Sequence, residues 1–85
     1  MSWIVKLTKR AAKDLRSIQT KDTQRIEEAL MAMVEDPLSG DIKMIRGTGG
    51  VLRKRVGSWR IFFEIGEETV FVLRIVRRTT TTYRR

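Results

Sequence analysis

Hydrophobic residues in the first 35 positions predict a strand followed by two helices. Residues 2–7 form a short apolar run typical of a strand, and Thr8 follows as a candidate N-cap. Apolar residues then recur every three or four positions from 9 to about 19, and again after a break at 21–23. The second helix is predicted to end at about Glu35, because the residue before Pro37 disfavours the helical conformation. The predicted buried positions are Ala11, Leu15, Ile18, Ile26, Ala29, Leu30, Met33 and Val34.

The second half of the chain changes to a period of two. Residues 38–50 are rich in glycine and are interpreted as a connecting stretch. Alternation then predicts strands at 51–56, 59–65 and 69–76, joined by short turns at 57–58 and 66–68. Short hairpins impose antiparallel pairing. We therefore predict an α+β fold of order β-α-α-β-β-β, forming one domain over residues 1–85. Its two N-terminal helices would pack on one face of a twisted antiparallel sheet.

Alternation also divides the strand side chains between two faces. In the strand 59–65 four large apolar residues must face the helices, which leaves Arg60, Phe62 and Glu64 on the open face. Arg53 and Arg55 belong on the same open face, because their neighbours at 52 and 56 are apolar. This face would present arginines beside an aromatic ring, a layout suited to RNA backbone contacts and base stacking.

The remaining strand positions follow from the same alternation. Lys54 points to the helix side, between the two arginines of its strand. In the last strand we expect Phe71, Leu73 and Ile75 to point inward and Arg74 to point outward. The alternative is an ordinary solvated face, because open sheet faces are usually polar and arginine stems cover apolar surface well.

Charge is divided unevenly along the sequence. Residues 1–42 hold seven Lys/Arg and seven Asp/Glu, whereas residues 43–85 hold eleven Lys/Arg and three Asp/Glu, so the second half carries the whole net charge of +8. Nine of those eleven cations are arginines, whose planar guanidinium binds phosphate oxygens two at a time. Nucleic acid or an acidic protein segment fits this charge better than a membrane, because the basic half has a strand pattern rather than an amphipathic helix.

Two residue types are missing from the composition. Without cysteine there is no disulfide or thiolate metal site, and without histidine both the usual acid/base at neutral pH and the commonest metal ligand are absent. We expect no metal and no cofactor, so that catalysis would depend on Arg, Lys, Tyr or carboxylates. The opening residues contain only four clustered apolar residues, interrupted by Lys6, too few for a signal peptide or membrane span. These features favour a soluble cytoplasmic protein.

One segment of the basic half carries a sequence motif that is more informative than the overall composition. Residues 53–61 read R-x-R-V-G-x-W-R-I. Further motif positions are Thr8-Lys9-Arg10-Ala11, Asp36-Pro37, Gly40-Asp41, Lys43, Ile45-Arg46-Gly47, Val72-Leu73-Arg74-Ile75, Arg77-Arg78 and Tyr83. Together these motifs span nearly the whole chain, and they resemble the RelE/ParE toxin superfamily of bacterial type II toxin–antitoxin modules. The resemblance implies the same β-α-α-β-β-β order.

The RelE branch of that superfamily consists of ribosome-dependent endoribonucleases that cut mRNA in the ribosomal A site without a metal. The 2′-OH attacks the adjacent phosphate, so the site must remove a proton, stabilise extra negative charge and protonate the leaving oxygen. By resemblance, Arg53 and Arg55 contact phosphate and assist the attack, while Arg60 clamps the scissile phosphate. Tyr83 matches a C-terminal tyrosine that stacks on the substrate base and transfers a proton.

Some of these assignments remain open. Arg78 matches a late-strand arginine of the family, although counting back from the tyrosine favours Arg77. Arginine is a poor proton acceptor because its pKa exceeds about 12, so Tyr83 or Glu64 would have to supply the base. The predicted catalytic residues are Arg55, Arg60, Arg78 and Tyr83. The predicted RNA- and phosphate-binding residues are Arg53, Lys54, Arg74 and Arg77, with Glu64 as a possible base.

The resemblance leaves two alternatives to an mRNA-cleaving toxin that inhibits translation. A ParE-type toxin would poison DNA gyrase without cutting RNA, and a non-catalytic nucleic-acid-binding domain would do neither. Either toxin implies a cognate antitoxin, expected to be acidic, partly disordered and folded across the basic surface. The expected partners are therefore that antitoxin, in a toxin–antitoxin hetero-oligomer, together with mRNA and the ribosome.

Overall fold

The computed structural model describes residues 2–18 and 20–77, which form two helices and five strands. Their bounds are β1 Ile4–Leu7, α1 Lys9–Arg16, α2 Thr20–Glu35, β2 Asp41–Met44, β3 Leu52–Val56, β4 Trp59–Ile65 and β5 Thr69–Arg77. In this described part of the chain, no helix has the length and apolar character needed to cross a membrane.

The five strands form one mixed sheet in the order β1-β5-β4-β3-β2. Neighbours from β2 to β5 are antiparallel, as the short hairpins predict, but β1 is parallel to β5. The expectation of a wholly antiparallel sheet is therefore wrong for β1. Because two helices separate β1 from the other strands in sequence, no tight turn fixes its direction.

β2 is a strand that the sequence analysis missed. Its four residues lie in the stretch interpreted as a connection, and they pair antiparallel with β3 at the edge of the sheet. The alternation D-I-K-M between Gly40 and Gly47 indicates this strand, but four residues with two apolar side chains are a weak pattern. The observed order is therefore β-α-α-β-β-β-β.

The α+β class is confirmed, with both helices against one face of the sheet. Thr8 begins α1 as predicted: its hydroxyl oxygen accepts from the N–H of Ala11 at 3.1 Å and donates to the carbonyl of Leu73 at 3.1 Å. The buried core combines helix and strand residues, namely Ala11, Ile18, Ile26, Leu30, Met33, Ile61, Phe63, Val70, Val72 and Ile75. The face of the sheet opposite the helices is called the open face below.

β5 carries one extra residue relative to β4. Val72 lies opposite Phe63 and Arg74 lies opposite Phe62, which leaves Leu73 as the inserted residue of a β-bulge. A bulge places two residues against one, so the alternation of side chains reverses across it.

The bulge decides which residues of β5 face the helices. Val70 and Val72 are buried before it, and Ile75 is buried after it. Phe71, which was expected to point inward, is 40% exposed and lies opposite Glu64. That expectation is wrong, because alternation counted back from Ile75 cannot be carried through the bulge.

Candidate nucleic-acid interface

Three arginines predicted for the open face come from two paired strands. Arg55 of β3 lies directly opposite Arg60 of β4. Two positions along the same strands, and therefore on the same face, Arg53 lies opposite Phe62. The side chain of Arg53 is only 11% exposed and that of Arg55 is 36% exposed. Alternation therefore places these cations correctly, and the structure brings them onto one side of adjacent strands.

Asp41 of β2 adds an acid to this arginine group. It lies opposite Arg55, its Oδ1 is 3.2 Å from Nη2 of Arg53, and its Oδ2 is 3.8 Å from Nε of Arg55. None of the described residues accepts a hydrogen bond from Nε of Arg53 or Nε of Arg55, although both atoms are buried. Each arginine thus keeps donor capacity beyond its contact with Asp41.

A groove of about 380 Å³ opens beside the arginines, between β2, the loop that follows it and β4. Its lining residues are Lys43, Met44, Ile45, Arg46, Arg53, Arg60 and Phe62. The groove is thus lined by four cationic residues and by three apolar ones. Lys43 and Arg46 were not among the predicted site residues. Lys43 was missed because β2 was not recognised as a strand, and the polar–apolar alternation of β2 is the feature that indicates it; Arg46 lies in the loop after β2, where no periodic pattern applies.

Lys54 does not belong to this face. Its side chain is buried on the helix side of the sheet, where Nζ donates to the carbonyl of Ser39 at 2.8 Å. Burial lowers the pKa of Lys54, and the charge of Asp36 opposes that shift. The alternation is as expected, but the predicted phosphate-binding role is incompatible with this position.

Arg74 is held in an internal ion pair. Its Nε and Nη2 donate to the carboxylate of Asp14 in α1 at 2.8 and 3.2 Å, and the backbone N–H of Ile75 donates to the same carboxylate at 2.9 Å. Burial alone would raise the pKa of Asp14, but these hydrogen bonds and the charge of Arg74 lower it below its usual value. Arg74 joins α1 to β5, and its phosphate-binding role stays a prediction, with two of its donors already bound to Asp14.

Arg77 lies on the helix side of β5. It is opposite Trp59, its guanidinium carbon is 5.6 Å from the centroid of the indole ring, and its Nη1 is 3.9 Å from a carboxylate oxygen of Asp22. This arginine therefore makes a cation–π contact rather than sharing the open face with Arg60. Its side chain is 61% exposed, and its phosphate-binding role stays a prediction.

The other predicted site residues are not assembled with the arginines by the described structure. Glu64 is exposed on the open face, but it lies four positions along β4 from Arg60, a span of ~13 Å in a strand. Arg78 and Tyr83 lie outside the described residues. Residues 2–18 and 20–77 contain no group of three or more Asp, Glu, His or Cys side chains placed to hold a metal ion.

Residues 5–81 match the family model described as "ParE toxin of type II toxin-antitoxin system, parDE". This chain belongs to that family, within the RelE/ParE superfamily of toxins from type II toxin–antitoxin systems.

Individual relatives come from both branches of the superfamily. The chain is 24% identical over 88 residues to a Methanocaldococcus jannaschii protein designated provisionally as toxin RelE1, covering 99% of this chain and 98% of that protein. Among solved structures, the toxin–antitoxin complex RelBE2 of Mycobacterium tuberculosis contains a chain with a TM-score of 0.81 at 26% identity, covering 92% of this chain and 100% of that one. The chromosomal ParDE system of P. aeruginosa gives a TM-score of 0.74 at 21% identity, covering 92% and 98%.

Proposed function

We propose that this toxin is a RelE-type endoribonuclease that cuts mRNA in the ribosomal A site and thereby inhibits translation. The observation that carries the proposal is the placement of Arg53, Arg55 and Arg60 on one open sheet face, beside a groove lined by further cations. Guanidinium groups in such an arrangement bind phosphate oxygens in pairs and stabilise charge that develops on them.

The cleavage reaction assigns a different task to each of these residues. As the 2′-OH attacks the adjacent phosphate, an extra negative charge develops on the non-bridging oxygens, where Arg60 would act as the clamp. Arg55, directly opposite on β3, would share that charge, and Arg53 would hold the neighbouring backbone. No metal is required for this charge stabilisation, because the guanidinium groups supply the positive charge.

Proton transfer must come from another residue type, because arginine stays protonated at any physiological pH. We assign the acid/base and base-stacking role to Tyr83, which follows from the family resemblance. Arg77 lies on the helix side of β5, against Trp59, so we assign the late-strand role to Arg78. Glu64 is the weaker candidate base, because ~13 Å of strand separates it from Arg60.

We further propose that a cognate antitoxin binds this chain in a hetero-oligomer. The RelBE2 and ParDE neighbours are toxin–antitoxin complexes, which supports a partner of that kind. The surface it would cover is the basic open face, so an acidic and partly disordered segment that folds on binding has the complementary charge. Such a segment would compete with mRNA for the same arginines.

The second candidate function is a gyrase-poisoning toxin that leaves RNA intact. It is favoured by the ParE description of the matching family model and by the fold shared with the ParDE toxin of P. aeruginosa. The arginine face distinguishes the two proposals, since only the ribonuclease needs a phosphate clamp for its chemistry.

The deciding experiment maps mRNA 5′ ends after the toxin is induced without its antitoxin. We expect new ends in phase with codons, confined to translated messages, and an arrest of protein synthesis. Arg60→Ala should abolish both effects with an unchanged melting temperature, because the side chain removed lies on the open face rather than in the core. Arg16→Ala is the matched control: it removes the same charge from the exposed end of α1 and should leave cutting intact.

Two other outcomes would overturn the proposal. Intact messages together with accumulating DNA breaks would select the gyrase-poisoning toxin. Intact messages without arrest or DNA damage would select a non-catalytic nucleic-acid-binding domain.

A further inference from the structure

The open face carries two parallel rows of side chains. The first row, Asp41, Arg55 and Arg60, crosses β2, β3 and β4, and we call it the phosphate row. The second row crosses the same strands two residues further along, and we call it the groove row; it consists of Lys43, Arg53 and Phe62. The rows are ~7 Å apart, because strand residues of one face repeat every two positions. This separation is close to the length of one nucleotide along an extended backbone.

We propose that the groove row binds a single unpaired nucleotide of RNA, next to the phosphate held by Arg60. Its base would stack on the ring of Phe62, and its phosphate would contact Lys43 and Arg46. The inference rests on the proposed ribonuclease function, because it places this nucleotide beside the scissile linkage. It adds a substrate contact that the catalytic residues do not supply.

The shape and lining of the groove fit a nucleotide. A volume of about 380 Å³ lies at the lower end of pockets that hold small ligands. Phe62 is partly buried at the centre of the sheet, and Ile45 lines the same groove near its edge. A planar base stacked on Phe62 would cover hydrophobic surface that otherwise faces water.

The cations around the groove fit a phosphate backbone. Lys43, Arg46, Arg53 and Arg60 all line it. Nε of Arg53 is a buried donor with no hydrogen-bond acceptor among the described residues, and a phosphate oxygen would supply one. Stacking on an aromatic ring does not read base edges, so the groove should accept all four bases with small differences in affinity.

The test measures binding of a short single-stranded RNA whose 2′-O-methyl groups prevent cleavage, using fluorescence anisotropy at low salt. Phe62→Leu removes the aromatic ring but keeps an apolar side chain of similar size, and we expect roughly 10-fold weaker binding. Phe62→Tyr keeps the ring and should bind as tightly as the wild type. Because Phe62 is partly buried, melting curves of both variants are recorded as well, and binding is compared at a temperature at which each variant is folded.

A second arm identifies the base as the contacting group. Single abasic sites are moved along the same RNA, and one position should weaken binding to the wild type as much as Phe62→Leu does. At that position the abasic RNA and the Leu variant should not add their effects, because both remove the same contact. Additive losses, or equal binding of abasic and normal RNA by the wild type, would overturn the stacking inference.

The outcome separates this inference from the ribonuclease proposal. If translated mRNA is cut but Phe62→Leu binds and cuts as the wild type does, the groove inference fails and the ribonuclease stands. If no message is cut but the effects of the abasic RNA and of Phe62→Leu are not additive, the ribonuclease proposal fails and the nucleotide groove stands.

Lys43→Ala should make the negative slope of log affinity against log salt shallower by about 0.7, as expected for one lost phosphate contact on a single strand. Lys9→Ala, on α1, should not change it.

Discussion

Asp41 is an acid placed among arginines that we expect to bind phosphate. Its carboxylate is 55% exposed, and ion pairs of such exposure contribute about 0–1 kcal/mol. A charge-assisted hydrogen bond to phosphate contributes about 1.5–3 kcal/mol. The phosphate should therefore displace Asp41 from Arg53 and Arg55, so that the acid acts as a weak competitor for the substrate.

Replacing this residue tests that role. Asp41→Asn keeps the shape of the side chain and removes its charge, so we expect the uncleavable RNA to bind about three- to tenfold more tightly, since one carboxylate no longer competes. Glu28→Gln, an equal charge change on the exposed side of α2, is the control and should alter affinity much less. Weaker binding by Asp41→Asn would instead mean that Asp41 is needed to orient Arg53 and Arg55.

The sequence predicts the positions of some site residues and fails for others for a physical reason. Arg53, Arg55 and Arg60 follow from alternation within two regular strands, where each side chain's face depends only on its near neighbours. Arg74 and Arg77 depend on partners far away in sequence: Asp14 is 60 residues from Arg74. No local pattern indicates that such an arginine is taken by an internal carboxylate.

At the level of elements, periodicity in the sequence predicts secondary structure best where the periodic patterns are long. Both helices and the strands β3, β4 and β5 are found with small shifts at their ends; α1 stops at Arg16, earlier than the predicted 19. β2 is missed because it has only four residues. The parallel direction of β1 is missed because its partner β5 is far away in sequence, with Ile4 paired to Thr69. Pairing between distant segments is not encoded in local periodicity.

The ion pair between Asp14 of α1 and Arg74 of β5 makes the free energy of unfolding depend on pH. The folded-state pKa of Asp14 is lowered, so its contribution to stability is complete above the pKa of the unfolded chain, near 3.8, and is lost as the pH falls through the folded-state value. Asp14→Asn should therefore cost about 1–2 kcal/mol at pH 7. The variant should also lose less stability than the wild type between pH 5 and acid conditions, about pH 2.

Urea unfolding at a series of pH values measures both effects. Asp22→Asn is the control, because its carboxylate makes only a 3.9 Å contact with a largely exposed Arg77. A variant of Asp14 with wild-type stability at pH 7, or with an unchanged acid dependence, would contradict the assigned role of the Arg74 pair.

At the scale of the whole molecule, the division of charge between the two halves of the chain matches the division of structural elements between them. The neutral first half supplies both helices and the edge strands β1 and part of β2, whereas the second half, which carries the net +8, supplies the arginine face. A localised patch should bind RNA through a few defined contacts rather than through a diffuse field.

The salt dependence of RNA binding tests this arrangement. Five cations of the phosphate and groove rows and their loop, each neutralising one phosphate, predict a slope of about −3.5 in log affinity against log salt. Arg55→Ala should reduce the size of that slope by about 0.7, whereas Arg16→Ala on α1 should leave it unchanged. Equal changes in both variants would show that net charge, rather than the open face, determines binding.

The last described strand occupies the middle of the sheet, and this has a consequence for biosynthesis. β5 lies between β1 and β4, it contributes Val70, Val72 and Ile75 to the core, and its Leu73 carbonyl accepts from a hydroxyl 65 residues earlier. A nascent polypeptide that stops before residue 69 has no partner for β1 and an incomplete hydrophobic interior. We therefore expect a chain truncated before residue 69 to be unfolded and inactive as a toxin, so that toxicity would arise only once β5 has been synthesised.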